Sequence, residues 1–128
     1  MSVITRSTIG DLITRSARRA PDAMALSFED RDWTYQQLDD AATRVASALL
    51  GLGLAKGDRV AAFGKNSDAY VLLWLGVVKA GLVHVPVNFA LTGGELEYIL
   101  RQSGTRAVFT DEALRPVLDA SDFTPEIS

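Results

Sequence analysis

His84 is the only histidine of this 128-residue chain, and with it the only side chain whose unperturbed charge changes near neutral pH. It sits in the apolar run Val83-His84-Val85 and alternates to the face opposite its neighbours. Nucleophilic catalysis through such a base needs a nucleophile and an orienting acid, and the sequence marks neither. With no second histidine and no cysteine, neither a two-histidine metal site nor a zinc-cysteine site can form. His84 therefore reads as a packed or sheet-edge residue. Gly64-Lys65-Asn66-Ser67 lies between a predicted strand and a predicted helix, where backbone amides could meet a phosphate. It lacks the upstream glycine and the adjacent Lys-Ser/Thr pair of a P-loop, and a solvated connection capped by Ser67 is the better reading. Gly51-Leu52-Gly53-Leu54-Ala55-Lys56-Gly57 imitates a dinucleotide fingerprint with its spacing off by one. It also follows a helix and precedes a strand, the reverse of the order that brings pyrophosphate to a helix N-terminus. Arg15, Arg18 and Arg19 could face a phosphate, but their place at the end of a helix suits a solvated cationic terminus. The carboxylates are scattered, with no acid/base couple among them. Residue chemistry alone assigns no catalytic, cofactor-binding or metal-ligating residue.

The elements that position these residues are legible from period and punctuation. Ile9, Leu12, Ile13 and Ala17 predict a helix from Thr8 to Ala20, with Asp11 in its first turn and Pro21-Asp22 as its stop. Met24 to Phe28 and Trp33 to Tyr35 predict a hairpin around the polar turn Glu29-Asp30-Arg31-Asp32. Thr34 and Gln37 form a capping box for a helix that presents Leu38, Ala42, Val45, Ala46, Leu49 and Leu50 on one face and ends at Gly51-Leu52-Gly53. The turn Lys56-Gly57-Asp58 leads into a strand from Arg59 to Phe63. Ser67 caps a helix from Asp68 to Ala80, apolar around nearly its whole circumference and so expected to be buried on most sides. Gly81 stops it before a strand from Leu82 to Val87, which carries Pro86 near its end. Thr92 and Glu95 suggest a second capping box, for a helix reaching Ser103-Gly104. A strand from Arg106 to Thr110, a short helix from Glu112 to Leu118 and a polar, frayed tail from Asp119 to Ser128 complete the chain. Such alternation predicts an α/β fold with a mixed, largely parallel sheet flanked by helices, the early hairpin adding an antiparallel part.

Apolar residues make up 48% and charged residues 23%, an ordinary globular balance. The formal charge of −3 offers no attraction to nucleic acid. No secretory signal is visible in Met1 to Thr14, and the longest apolar stretch, Ala69 to Val78, is short of the ~20 residues a bilayer needs. A soluble, cytoplasmic protein is the expectation.

Two stretches resemble core motifs of adenylate-forming, AMP-binding enzymes. Trp33-Thr34-Tyr35-Gln36-Gln37-Leu38 is similar to the early Leu-Thr/Ser-Tyr-x-Glu-Leu motif. Val78-Lys79-Ala80-Gly81-Leu82-Val83-His84-Val85-Pro86-Val87-Asn88 is similar to the Lys-Ala-Gly helix end with its following Val-Pro strand. Lys56-Gly57-Asp58-Arg59-Val60-Ala61 resembles the family's Gly-Asp-Arg-Val strand entry. Asn66-Ser67, Leu91-Thr92, Glu95-Leu96 and Tyr98-Ile99-Leu100 also match in order and spacing. The resemblance runs from about Thr8 to Thr110. Trp33 stands where leucine is usual and Gln37 where glutamate is usual; glutamine still closes a capping box. The ending Val87-Asn88 leans toward acyl-CoA synthetases.

The resemblance implies that residues 1–128 are a single N-terminal subdomain, a fragment of a larger AMP-binding domain. It implies a parent that makes an acyl-adenylate from a carboxylic acid, most simply a fatty acid, and passes the acyl group to coenzyme A, using ATP and Mg. The family's Ser/Thr/Gly-rich loop with its lysine, adenine-binding aromatic segment, ribose-binding aspartate and C-terminal-domain lysine match nothing in this chain. No catalytic residue is therefore carried over, this chain is expected to bind none of these cofactors and to be inactive alone, and the acyl pocket of relatives lies downstream. Its expected partner is the remainder of the enzyme. The rival reading is a free-standing interaction module that forms a homo-oligomer through uncovered apolar surface; an unrelated Rossmann-type nucleotide-binding domain lacks its fingerprint.

Overall fold

The computed structural model describes residues 9–65 and 67–127. The elements run α1 (Ile9–Arg19), β1 (Met24–Phe28), β2 (Arg31–Thr34), α2 (Tyr35–Gly51), β3 (Arg59–Phe63), α3 (Asp68–Lys79), β4 (Val83–Pro86), α4 (Gly93–Gln102), β5 (Thr105–Thr110) and α5 (Arg115–Ala120). β3 is central in a parallel sheet of order β4-β3-β5. Val60 to Phe63 are buried, as a strand covered on both faces requires. Alternation sends Ala61 and Phe63 to a core with Leu96, Leu100 and Leu118 of α4 and α5. It sends Val60, with Ala107, to a second core against Leu49 of α2 and Val77 of α3. Both helix layers are thus set by the period of two in β3 and β5.

The parallel sheet and its helices agree with the sequence; the hairpin differs. β1 and β2 pair only with each other and form a sheet of their own, not an antiparallel part of the main one. The loop between them is only Glu29-Asp30, so β2 opens earlier than predicted and Tyr35 begins α2. The capping box forms as read: Gln37 N–H donates to Thr34 Oγ1 at 3.2 Å, and Thr34 N–H donates to Gln37 Oε1 at 2.9 Å. Thr34→Ala is expected to lower stability by about 1 kcal/mol in urea unfolding, while Gln37→Glu should leave it within about 0.5 kcal/mol.

Several local expectations are corrected. Leu50 is 47% exposed, because it lies beyond one edge of the Leu38–Ala42–Ala46–Leu49 stripe, about a quarter of a turn from its centre. The Thr92 side chain makes no capping bond: Gly93 takes φ 53°, and this left-handed residue breaks the turn that would bring an amide over the hydroxyl. The last helix starts at Arg115, three residues late, because Asp111 Oδ1 accepts Leu114 N–H at 2.8 Å and holds the preceding residues in a turn. The polar tail has defined partners over its described length. Asp119 and Ala120 complete α5, and Ile127 pairs in parallel with Ala107 on the outer side of β5, its carbonyl accepting from Val108 N–H at 3.0 Å. The predicted helix start at Thr8 lies outside the described residues.

Pro86 is tolerated because of its parity. Val83 N–H and Val87 N–H donate inward to Asp58 and Ala62 carbonyls, so the nitrogen of Pro86, at an even position, faces the free side of β4.

Candidate functional site

The short motifs turn out to knit the helical layers. Lys79, at the end of α3, places its ammonium 2.6 Å from Asp39 Oδ1 and donates to Thr14 Oγ1 at 3.1 Å and Thr43 Oγ1 at 3.2 Å. One cation thereby joins α1, α2 and α3. Burial pushes the Asp39 carboxyl up, but the bonds from Lys79 and Thr14 outweigh it and hold it below the usual range. Asp58 Oδ2 accepts Ala55 N–H at 2.8 Å and Arg106 Nη1 at 2.7 Å, while Arg106 reaches Glu126 at 2.8 Å and fastens the chain's last described turn. Gly53 and Gly57, the glycines of the false fingerprint, take φ 95° and 88° where α2 stops and β3 is approached. Neither meets a helix N-terminus. Arg15, Arg18 and Arg19 are exposed along α1.

The N-terminus of α3 does not fit a phosphate. Ser67 Oγ accepts Tyr70 N–H at 3.1 Å, and Asp68 Oδ1 accepts Ala69 N–H at 2.9 Å, so the helix's own side chains occupy these amides with a negative charge beside them. Asp68 is in turn held bidentately by Arg31, at 2.6 and 2.9 Å, and by the Trp33 indole at 3.1 Å. This cluster fixes the hairpin to α3. The Arg31 hydrogen bond, above all, lowers the Asp68 carboxyl from 3.8 to about 2. A carboxylate lowered on folding contributes stability above its unfolded value and loses it as pH falls through the folded one. Acid unfolding of the chain is therefore expected to carry a component between about pH 4 and 2 that Asp68→Asn removes. An unchanged acid limb in that variant would show that the pair does not couple to folding. Among the described residues no three acidic or histidine side chains converge.

The feature with the geometry of a binding site is a cleft of about 480 Å³ at the carboxyl ends of β3 and β5. The chain leaves β3 toward β4 on one side and then crosses to β5 on the other. The reversal falls between β3 and β5, the place where open α/β sheets bind ligands. Val45, Ala48 and Leu52 of α2 and the following turn form one wall, Tyr70, Leu72 and Leu73 of α3 the other, and Phe109 of β5 the floor. Polar groups gather at the strand ends, where Asp111 Oδ2 accepts the amide of Lys65 at 3.2 Å, and at the start of α3, with Ser67 and Tyr70. α3 is consequently less covered than its all-apolar circumference predicts: Leu75, Gly76 and Val77 are buried, whereas Tyr70 to Trp74 are only half-buried. Leu52 is 51% exposed. The sequence did not announce this cleft, because its residues come from four elements; the one signal was the excess of apolar residues on α3.

His84 stands behind that wall. Its ring meets Tyr70 edge-on at 5.8 Å and Trp74 at 6.1 Å, and its Nε2 is 3.5 Å from Tyr70 Oη. Its Nδ1 is buried without a partner, and burial lowers the imidazole below the ordinary 6.5. The packed reading of His84 holds for one face of its strand.

The profile of the AMP-binding enzyme family matches residues 13–127. A fatty acid–[acyl-carrier-protein] ligase, ScoC of Streptomyces coeruleorubidus, is 42% identical over 109 residues, covering 85% of this chain and 21% of that protein. The mouse mitochondrial medium-chain acyl-CoA ligase ACSF2 is 38% identical over 109 residues, covering 84% of this chain and 18% of that protein. The crystal structure of the N-terminal domain of FACL13 from Mycobacterium tuberculosis, with inhibitor bound, superposes with a TM-score of 0.83 at 38% identity, over 88% of this chain and 29% of that one. The chain thus spans about a fifth of the length of the curated relatives it matches. No described helix is long and apolar enough to cross a membrane.

Proposed function

Because the chain belongs to the AMP-binding enzyme family, we propose that it forms the N-terminal portion of an ATP-dependent ligase that activates a fatty acid. The family is ATP-dependent and adenylate-forming. In the proposed parent reaction a carboxylate oxygen attacks the α-phosphorus of ATP, the bond to the bridging oxygen breaks and pyrophosphate leaves. A thiol then attacks the acyl carbonyl and AMP departs. Coenzyme A is the proposed acceptor, in keeping with the Val87-Asn88 ending and the acyl-CoA ligases among the relatives; the ScoC likeness makes a carrier-protein thiol the alternative. The observation that carries the reading is the match of one family over nearly the whole chain.

This segment contributes scaffold rather than reacting groups. Its family motifs are spent on the Thr34 cap, the Lys79–Asp39 junction and the Asp58–Arg106 junction, and the first amides of α3 are taken up by Ser67 and Asp68. The apolar cleft is the proposed seat for the rest of the parent enzyme, since uncovered apolar surface favours association.

The test reads the native transcript past the codon for Ser128 and expresses the whole open frame. That protein, given ATP, magnesium and acids of graded chain length, is expected to release pyrophosphate, and coenzyme A to convert the product to a thioester. The 128-residue chain alone is expected to release none. Turnover by the short chain would overturn its proposed inactivity, and a full-length protein inert toward every acid would overturn the ligase reading. The exposed wall at Leu52 also favours a second reading, self-association through the cleft. Sedimentation of the short chain at rising concentration decides it, a strictly monomeric result removing that reading.

A further inference from the structure

The cleft wall and the single histidine share one residue, Tyr70. We propose that His84 is a positioning residue for Tyr70, and that its protonation releases this wall and widens the cleft in acid. Nothing in the ATP chemistry enters this inference; it rests on the cleft as the site, so a parent inert toward acids leaves it standing.

The geometry fixes the sense of the change. Nε2 faces Tyr70 Oη, whereas Nδ1 is enclosed with no hydrogen-bond partner. A neutral ring satisfies this arrangement with its proton on Nε2, directed at the phenol oxygen, and a bare Nδ1. A second proton must go on Nδ1, where a buried N–H without an acceptor is costly. α3 offers the Tyr70 phenol and the Trp74 indole ring to His84. From β3 the residue opposite is Val60, and on β4 itself the neighbours are Val83 and Val85. No carboxylate faces the ring from any of these elements, so the imidazolium gains no counter-charge and is accommodated only by admitting water. β4 is pinned to β3 by the backbone bonds at Val83 and Val87. Asp68 anchors the start of α3 to Arg31 and Trp33, so the side that yields is the half-covered stretch from Tyr70 to Trp74, which carries the cleft wall.

The experiment uses the 128-residue chain and an anionic naphthalene-sulfonate dye that fluoresces on apolar surface, over about pH 8 to 5. Being the only histidine, His84 gives one assignable set of imidazole NMR signals. These are expected to titrate below the ordinary 6.5, with the Tyr70 ring signals and the dye fluorescence following the same curve while the far-ultraviolet circular dichroism stays constant. His84→Phe keeps an aromatic ring and cannot titrate, so its dye response is expected to be flat. Tyr70→Phe keeps the wall but removes Oη, and should lower the imidazole midpoint further. The proposal is overturned if His84→Phe shows the same acid response as the parent chain. It is also overturned if the imidazole titrates while Tyr70 and the dye do not respond, if Tyr70→Phe leaves the midpoint unchanged, or if the helical signal is lost together with the dye response.

Discussion

Gly76→Val is expected to lower the stability of the chain by about 3 kcal/mol, the upper end of ordinary overpacking costs, with a fall in Tm of roughly 10 °C for a chain of this size. Gly76 is buried where α3 crosses α2. A Cβ placed there would lie 2.7 Å from Val45 Cβ and 3.2 Å from the Ala46 backbone nitrogen. Backbone cannot retreat as the end of a long side chain can, so the two helices must separate. Val77 on one side and Ala42, Ala46 and Leu49 on the other, all buried, would lose contact together. Gly51 supplies the control. It ends α2, and nothing lies within 4 Å of an added Cβ, so Gly51→Ala is expected to be neutral or to stabilise by up to about 1 kcal/mol. Thermal and urea unfolding measure both. A Gly76→Val chain within about 0.5 kcal/mol of the parent would mean that α2 and α3 are not packed at this distance.

The second large effect belongs to Lys79→Met, which keeps most of the aliphatic stem but removes the ammonium. Lys79 and Asp39 side chains are only 18% and 15% exposed. Removing one member of a fully buried pair costs roughly 3–5 kcal/mol, and residual solvent access brings the expected loss here to about 2–3 kcal/mol. The damage comes from the stranded Asp39 carboxylate, not from a missing attraction alone. Asp39→Leu combined with Lys79→Met should therefore recover a large part of the loss, with a coupling of at least about 1 kcal/mol in a double-mutant cycle. Additive losses would assign Lys79 to a role other than this junction. The result bears on function as well: a lysine in a recurrent motif invites a catalytic interpretation, and the structure turns it toward Thr14, Asp39 and Thr43 instead.

What the sequence disclosed follows the range of the forces involved. The Thr34–Gln37 cap and the Ser67 cap involve residues three apart, and both were legible. β3 was legible to its ends, because an apolar run entered through the Gly57 turn has few alternatives. Errors gathered where a local rule met a second constraint: the Thr92 cap yielded to left-handed Gly93, and α5 was delayed by the Asp111 turn. The cleft, the Asp68–Arg31–Trp33 cluster and the separation of the hairpin from the main sheet were invisible. Each depends on residues brought together from far apart in the chain, 37 positions apart for Arg31 and Asp68. Family membership could be seen because its motifs are themselves local caps and turns.

Pro86 gives the main sheet a handedness of growth. An incoming strand at the free side of β4 would find no N–H at Pro86, whereas the opposite margin, beyond β5, already receives Ile127 in parallel register. Both margins of the main sheet thus discourage edge-to-edge pairing, one by a missing donor and the other by partial occupation. In a nascent chain the rim beyond β5 is bare until Ile127 has emerged; afterwards a neighbouring chain must displace the chain's own segment before it can pair there.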